Sequence, residues 1–148
     1  MFLGQYQHNL DEKGRLMIPV RYRELLAAGA FIMQGFDRCL MVMTDSHFQE
    51  VYERINAMNM ADPNARLLRR LILSTAYPVE IDKVGRILVP QILRQVNGLD
   101  SEAIVAGQGE YFEVWNPLEW NEQVNQLQDI EMNNQRFATL DLSKGYSS

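Results

Sequence analysis

Cysteine is almost absent from this 148-residue chain, which contains one, Cys39. A disulfide within the chain is therefore impossible, and a reducing compartment fits such a composition. Cys39 begins the apolar run Cys39–Met43, so we expect a buried small hydrophobe there and not a catalytic thiol.

Histidine is nearly as scarce, because His8 and His47 are the only two and are far apart in sequence. With no paired thiols to join them, they predict no metal site. The segment Gly107–Gly109 lacks the third glycine of a dinucleotide-binding loop and therefore predicts a turn. We expect no catalytic residues, no metal and no cofactor, in a protein that is not an enzyme.

Long hydrophobic runs are also missing. No apolar stretch approaches 18 residues, which argues against a membrane span, and the N-terminus has neither the basic nor the apolar region of a signal peptide. The expected location is the cytoplasm. The 47% hydrophobic content is enough to fill the core of one compact unit or of two small halves.

An excess of positive charge, which nucleic-acid-binding proteins often show, is absent as well, since the net charge is −5. The imbalance lies entirely in residues 110–148, where seven acidic groups face two basic ones. Residues 1–109 have a net charge of zero, because their acidic and basic groups are equal in number. Because DNA affinity depends on the local surface that meets the phosphates, the total charge does not exclude DNA binding.

What the chain does contain is a repeat. The segment Asp11–Pro19 reads DEKGRLMIP and recurs 71 residues later, at Asp82–Pro90, as DKVGRILVP. Asp, Gly, Arg and Pro keep the same spacing, and three apolar residues separate Arg from Pro in both copies. Such a match predicts an internal duplication.

Each copy has the pattern of two strands joined by a tight turn. Asp opens turns because its carboxylate accepts from the backbone two residues on, and Gly supplies a positive φ without steric cost. Apolar or alternating residues flank the turn on both sides, so we expect residues 1–10 and 15–18 to form one β-hairpin, and residues 77–81 and 86–89 another. Pro19 and Pro90 then stand where helices begin.

The remaining pattern gives each half two further strands and two helices. Strands are predicted at 31–33, 40–43, 103–105 and 112–115, and helices at 19–28, 44–59, 90–96 and 116–131. A polar tail follows from residue 132. A linker helix starts at Asp62 and Pro63 and has an apolar stripe of Leu67, Leu68, Leu71 and Ile72.

Three arginines of the linker helix, Arg66, Arg69 and Arg70, share one polar face. Two interpretations stay open for them. They form a solvated charged face, as such runs usually do, or they contact DNA phosphates or a second subunit.

The arginines after the turns also have two interpretations. In the first, Asp and Arg form a surface ion pair that contributes only about 0–1 kcal/mol to stability. In the second, the two halves pack about a pseudo-two-fold axis and present Arg15 and Arg86 on one face. A planar guanidinium on a stiff turn is well suited to reading an anion or a base edge.

The paired D-x-x-G-R-hydrophobic-P motifs resemble the MraZ family of transcriptional regulators, which contain two SpoVT/AbrB-type domains. Further matches are the Met-Phe-x-Gly start and the segments 21–24, 105–108 and 112–115. The resemblance covers about residues 1–130 and implies an α+β fold with a mainly β core: an internally duplicated swapped-hairpin β-barrel whose two pseudo-two-fold related halves form one unit. The expected divisions are a first domain at 5–52, a linker helix region at 53–80, a second domain at 81–124, and a helix end with polar tail at 125–148.

The resemblance also implies a function and its residues. The expected function is sequence-specific binding of double-stranded DNA at the nucleoid, by a homo-oligomeric ring that regulates the division and cell wall gene cluster, as a repressor, through direct repeats of a short G-rich box. Arg15 and Arg86 would read bases. Lys13 and Lys83 would hold phosphates. The residues expected to support the two motifs are Asp11, Gly14, Asp82 and Gly85.

A different class of function is also compatible with the sequence. In that alternative the chain is a ring-forming structural or adaptor protein that binds protein partners through its acidic C-terminal quarter. Salt-dependent DNA binding that is lost in Arg15→Ala and Arg86→Ala separates the two. The operator sequence, the sign of regulation and the number of subunits do not follow from the sequence.

Overall fold

The two copies of the repeat fold into matching series of strands and helices. The computed structural model describes residues 1–142. The first copy forms β1 (Gln5–Asn9), β2 (Arg15–Met17), α1 (Val20–Arg23), β3 (Ala30–Gln34), β4 (Cys39–Thr44) and α2 (Asp45–Asn56). The linker helix is α3 (Pro63–Leu73), and the second copy forms β5 (Tyr77–Val79), β6 (Arg86–Leu88), α4 (Gln91–Val96), β7 (Glu102–Gly107), β8 (Tyr111–Trp115), α5 (Pro117–Leu127) and α6 (Ile130–Phe137).

The first strand of each half pairs with the other half. β1 runs antiparallel to β7, and β5 runs antiparallel to β3, in a six-stranded sheet of order β1-β7-β8-β4-β3-β5. β2 and β6 pair with each other as a separate ladder. The fold class is therefore the expected one, α+β with a mainly β core and an internal duplication in which strands are exchanged.

The prediction of two self-contained hairpins was wrong. The strands on either side of the first turn, β1 and β2, are connected only by one isolated bridge between Leu10 and Leu16. β1 pairs with β7 and β2 pairs with β6, both in the other half. Short two-stranded hairpins are barely stable alone. When β1 and β5 instead join the longer β7–β8 and β3–β4 pairs, they complete a six-stranded sheet with a buried face. The alternating pattern identifies strands but does not name their partners.

A pseudo-two-fold axis relates the halves, and two strand pairs mark where it passes. In the β2–β6 ladder, Leu16 lies opposite Ile87, its own counterpart 71 positions later. In the centre of the sheet, Met41 of β4 lies opposite Glu113 of β8, its counterpart 72 positions later. The axis therefore runs through the ladder that carries both arginines of the repeat.

Two apolar clusters stabilise this arrangement. The larger one joins the inner faces of the sheet and of the β2–β6 ladder and includes Leu16, Ile87 and Phe112. The smaller one packs α2 and α3 on the sheet through Met33, Met41, Met43, Phe48, Ile55 and Ile72. Cys39 is fully buried, as expected. The predicted stripe of α3 needs a correction, because Leu67 is 60% exposed and Ala65 lies inward instead.

Residues 1–117 form one compact unit that contains all eight strands of the described chain. The described residues from 118 to 142 belong to a second unit, which contains two helices where one helix and a polar tail were expected. α5 ends at Leu127, and Asp129 caps α6 by accepting from the backbone N–H of Met132. The end of the predicted tail, 143–148, lies outside the described residues. None of the helices within residues 1–142 is long and apolar enough to cross a membrane.

The helix starts were predicted more reliably. Thr44 caps α2, since its hydroxyl accepts from the backbone N–H of His47 at 3.2 Å. Asp62 caps α3 in the same way through Asn64. Two of the three α3 arginines bond within this region: Arg66 donates to the Met60 carbonyl, and Arg69 to the side chain of Asn56.

Candidate functional site

The first turn of the repeat is built around the Asp11 carboxylate. Its Oδ1 accepts from the backbone N–H groups of Lys13 at 3.0 Å and Arg15 at 2.8 Å. The backbone N–H of Gly14 donates to the Asp11 carbonyl at 2.9 Å, and Gly14 has a φ of 85°. A side chain is strained in this left-handed conformation, which explains the glycine.

The second turn repeats these contacts. Asp82 Oδ1 accepts from the backbone N–H groups of Val84 and Arg86, both at 2.9 Å. Gly85 has a φ of 93°, and its N–H donates to the Asp82 carbonyl at 3.1 Å. The four motif-supporting residues therefore shape two equivalent turns.

The same carboxylates also hold the arginine side chains. Arg15 Nε donates to Asp11 Oδ2 at 2.7 Å, and Arg86 Nε donates to Asp82 Oδ2 at 3.0 Å. Both arginines keep part of their surface in solvent, 36% for Arg15 and 24% for Arg86. Each aspartate bonds the guanidinium of its own turn through Nε, and a guanidinium has four further N–H donors on its two Nη atoms.

Arg15 and Arg86 lie next to each other across the pseudo-two-fold axis. Arg86 Nη1 is 3.6 Å from Asp11 Oδ2, the oxygen that Arg15 Nε also contacts. One carboxylate oxygen of the first half therefore touches guanidinium groups of both halves. The β2–β6 ladder produces this contact by placing Arg15 opposite Leu88 and Arg86 opposite Met17.

Hydrogen bonding lowers the pKa of both carboxyl groups. For Asp11 the main cause is the bond from the Arg15 backbone N–H, and for Asp82 it is the bond from the Arg86 backbone N–H. Because the folded pKa is lowered, this contribution to stability is present above the ordinary value of 3.8 and is lost as the pH falls through the lowered value. Both carboxylates are therefore ionised at neutral pH and accept the hydrogen bonds of their turns.

Lys13 and Lys83 are both exposed in these turns, but they do not occupy equivalent positions. Lys13 corresponds to Val84, and Lys83 corresponds to Glu12. The first turn consequently has a glutamate beside its lysine, whereas the second has a lysine beside a valine. The two turns share a geometry and differ in charge.

Two arginines at this site, Arg23 of α1 and Arg94 of α4, were not predicted. Arg23 lies against the turn of the second half, and Arg94 lies against the turn of the first. A signal for them was available, because each follows the motif proline by four residues. The repeat therefore extends beyond Pro19 and Pro90 to these two arginines.

Other chemistry has little support in the described chain. Residues 1–142 contain no group of three or more His, Cys, Asp or Glu side chains placed to hold a metal ion. Burial raises the pKa of the Cys39 thiol, which keeps it protonated and unreactive.

Exchanged strands and two adjacent arginine turns on a pseudo-two-fold axis define this chain as an internally duplicated α+β protein whose two halves form one strand-exchanged unit. A family model described as "MraZ protein, putative antitoxin-like" matches residues 1–71 and again 72–142. The chain belongs to the MraZ family.

Curated relatives agree with the family match over most of the chain. A protein of Roseiflexus castenholzii named transcriptional regulator MraZ is 39% identical over 138 residues, which are 93% of this chain and 94% of the relative. Proteins of the same name from Thermomicrobium roseum and Desulforamulus reducens are 42% and 39% identical, over 86% and 82% of this chain and 89% and 85% of their own lengths.

Proposed function

We propose that this chain is a sequence-specific DNA-binding transcriptional regulator that represses the division and cell wall gene cluster from the promoter of that cluster. The observation that carries the proposal is the pair of partly exposed guanidinium groups, Arg15 and Arg86, each held through Nε by the aspartate of its own turn and both in contact with Asp11. An arginine can donate two parallel hydrogen bonds to O6 and N7 of guanine in the major groove. The names of the relatives support the regulatory part of the proposal.

In this proposal the residues of the two turns have separate tasks. Arg15 and Arg86 read guanines, and Lys13 and Lys83 contact phosphates, which carry no sequence information. Asp11 and Asp82 orient the arginines and stay off the DNA. The protein acts at the nucleoid and needs no cofactor.

Selection of binding sites from random DNA, followed by titrations at several salt concentrations, tests this assignment. The wild-type protein should enrich a short G-rich box. Lys13→Ala and Lys83→Ala should weaken binding to all sequences evenly and reduce the slope of log affinity against log salt by about one each.

Glu12→Ala is the matched control, because it removes a charge of the opposite sign from the same turn as Lys13. Its affinity should rise for all sequences. A lysine variant with an altered box, or a wild-type protein that enriches no sequence, contradicts the assignment.

We further propose that several subunits bind together as a ring. Two adjacent arginines cover only a few base pairs, and each base pair contributes about 1–3 kcal/mol, so one subunit discriminates weakly. Subunits that bind side by side gain affinity through avidity. Large exposed apolar side chains support assembly, for example Phe36 at 71% and Leu67 at 60%.

The ring predicts the arrangement of the operator. Neighbouring subunits related by rotation around a ring meet DNA in the same orientation, so their boxes are direct repeats about one helical turn, roughly 10 bp, apart. Moving one box by half a turn should reduce affinity to that of a single box, whereas moving it by a full turn should preserve most of it.

The mass of the protein in solution and binding to these shifted probes decide between the outcomes. A monomer, or equal affinity for the half-turn and full-turn probes, contradicts the ring. A ring that binds no DNA at all supports the alternative of an adaptor protein.

A further inference from the structure

Arg23 reaches from the first half onto the turn of the second. Its Nε donates to the carbonyl of Ile18 at 2.9 Å, which fixes the side chain to its own half. Its guanidinium then lies against Gly85, since a Cβ built on that glycine would be 2.4 Å from both Cζ and Nε of Arg23. The arginine fills the space where any side chain at position 85 would stand.

Arg94 makes the reciprocal contact. Its Nε donates to the carbonyl of Val89 at 3.1 Å, and a Cβ on Gly14 would be 2.5 Å from its Nε and 2.6 Å from its Cζ. Arg23 and Arg94 are counterparts in the repeat, and so are Ile18 and Val89. The same pair of contacts is therefore present twice.

Backbone bonds attach the same strands to the same turns. Ile18 N–H donates to the Gly85 carbonyl at 2.9 Å, and Val89 N–H donates to the Gly14 carbonyl at 2.8 Å. Each glycine is thus held from two sides by the opposite half, through a carbonyl contact and through a flat guanidinium. A rotation of the turn would break both contacts.

The position of these contacts determines what they control. Gly14 immediately precedes Arg15, and Gly85 immediately precedes Arg86. A change in the backbone at either glycine redirects the arginine that follows. Bidentate hydrogen bonding to a base edge requires a fixed plane, so it is sensitive to such a change, whereas simple charge attraction is not.

We propose that Arg23 and Arg94 are crossed positioning residues: Arg23 sets the direction of Arg86, and Arg94 sets the direction of Arg15. The proposal rests on the proposed DNA-binding function for its consequence and on the turn contacts for its geometry. The two halves thereby depend on each other for the orientation of their base-reading side chains.

The geometry can be tested without DNA by backbone hydrogen exchange of the whole protein. Arg23→Met should speed exchange in the turn at 82–86 several-fold and leave the turn at 11–15 unchanged, and Arg94→Met should do the reverse. Arg21→Met is the matched control, because Arg21 is an exposed arginine of the same short helix. Equal effects on both turns, or no effect on either, would overturn the crossed positioning.

Double-mutant cycles on a G-rich box test the consequence. Arg23→Met and Arg86→Ala should each weaken binding about tenfold, and together little more than Arg86→Ala alone, a non-additivity of about fivefold or more. The non-additivity of Arg23→Met with Arg15→Ala should be clearly smaller, because it arises only through the contact that Arg15 and Arg86 share with Asp11. For Arg94→Met, the larger non-additivity should be with Arg15→Ala and the smaller one with Arg86→Ala.

Lysine variants separate positioning from direct phosphate contact. Arg23→Lys keeps the charge but cannot lie flat on the turn, so it should bind as weakly as Arg23→Met, with an unchanged salt slope. Full rescue of binding by Arg23→Lys, together with a reduced salt slope in Arg23→Met, would show a phosphate contact and overturn the proposal. Double-mutant cycles in which all effects are independent would overturn it as well. If exchange is crossed but Arg15→Ala and Arg86→Ala leave binding intact, the positioning stands and the proposed function fails.

Discussion

Replacing both Arg15 and Arg86 with alanine is expected to abolish specific DNA binding. Each guanidinium accounts for about 1–3 kcal/mol of discrimination between the right and wrong base, and the double variant loses both. Affinity for the selected G-rich box should fall to the affinity for unrelated DNA. Fluorescence anisotropy with labelled box and scrambled duplexes at one salt concentration measures the ratio.

The two single variants should not contribute independently. Arg15 and Arg86 both contact Asp11 Oδ2, so removing one of them changes the surroundings of the other. Residues that share a partner often show coupling of about 0.5–3 kcal/mol. The difference between the double variant and the two singles should lie in this range.

Arg15→Lys with Arg86→Lys is the control for charge. Lysine keeps the positive charge but lacks the planar pair of donors. This variant should bind unrelated DNA as tightly as the wild type and still fail to prefer the box. A double alanine variant that still distinguishes the box from scrambled DNA would contradict the assignment of these arginines as readers.

Separating the halves is expected to cause the largest loss of stability. A cut between residues 75 and 76 breaks every cross-half pairing: β1 with β7, β5 with β3, β4 with β8 and β2 with β6. A fragment 1–75 keeps only the β3–β4 pair among its strands and exposes the larger apolar cluster. Neither fragment should unfold cooperatively as a soluble monomer.

Circular dichroism during urea unfolding, combined with the measured mass, tests this expectation. Mixing the two fragments in equal amounts is the positive control, because it supplies every strand and should restore a cooperative transition. A fragment 1–75 that dimerises also agrees, since a second copy then takes the place of the missing half. Cooperative unfolding of a monomeric fragment would show that the halves are independent domains.

Local signals in the sequence identified most elements of the fold. Thr44 and Asp62 marked helix starts, and the duplicated turn residues marked both turns, because caps and tight turns depend on neighbours within a few positions. Strand partners could not be obtained in this way. The partners of β1 and β5 depend on packing between the two halves. The alternation of polar and apolar residues within a strand does not identify its partner.

In the candidate site, too, the sequence predicted the features set by neighbouring residues and missed those set by contacts between the halves. The repeat identified Arg15 and Arg86 as paired residues, whereas the shared contact with Asp11 needed the register of β2 with β6. Arg23 and Arg94 were missed because their partners are glycines, which carry no side chain to suggest a contact. Their equal spacing from the motif prolines was the one available signal.

The two halves differ at the position of Asn97, whose side chain is buried. It exchanges hydrogen bonds with Gln34, donating at 2.8 Å and accepting at 3.2 Å, and also donates to the Leu93 carbonyl at 2.8 Å. At the corresponding positions of the other half the chain has Leu26, which is apolar and buried, and Gly107, which has no side chain.

This single amide pair makes the halves non-interchangeable. If two first halves paired with each other, each Gln34 would meet Leu26 of its partner and lose the Asn97 amide as a hydrogen-bond partner. If two second halves paired, each buried Asn97 would face Gly107 and lose the Gln34 amide, at a cost of about 1–3 kcal/mol. Mispairing during synthesis, when many copies of the first half emerge before their own second halves, is thereby disfavoured.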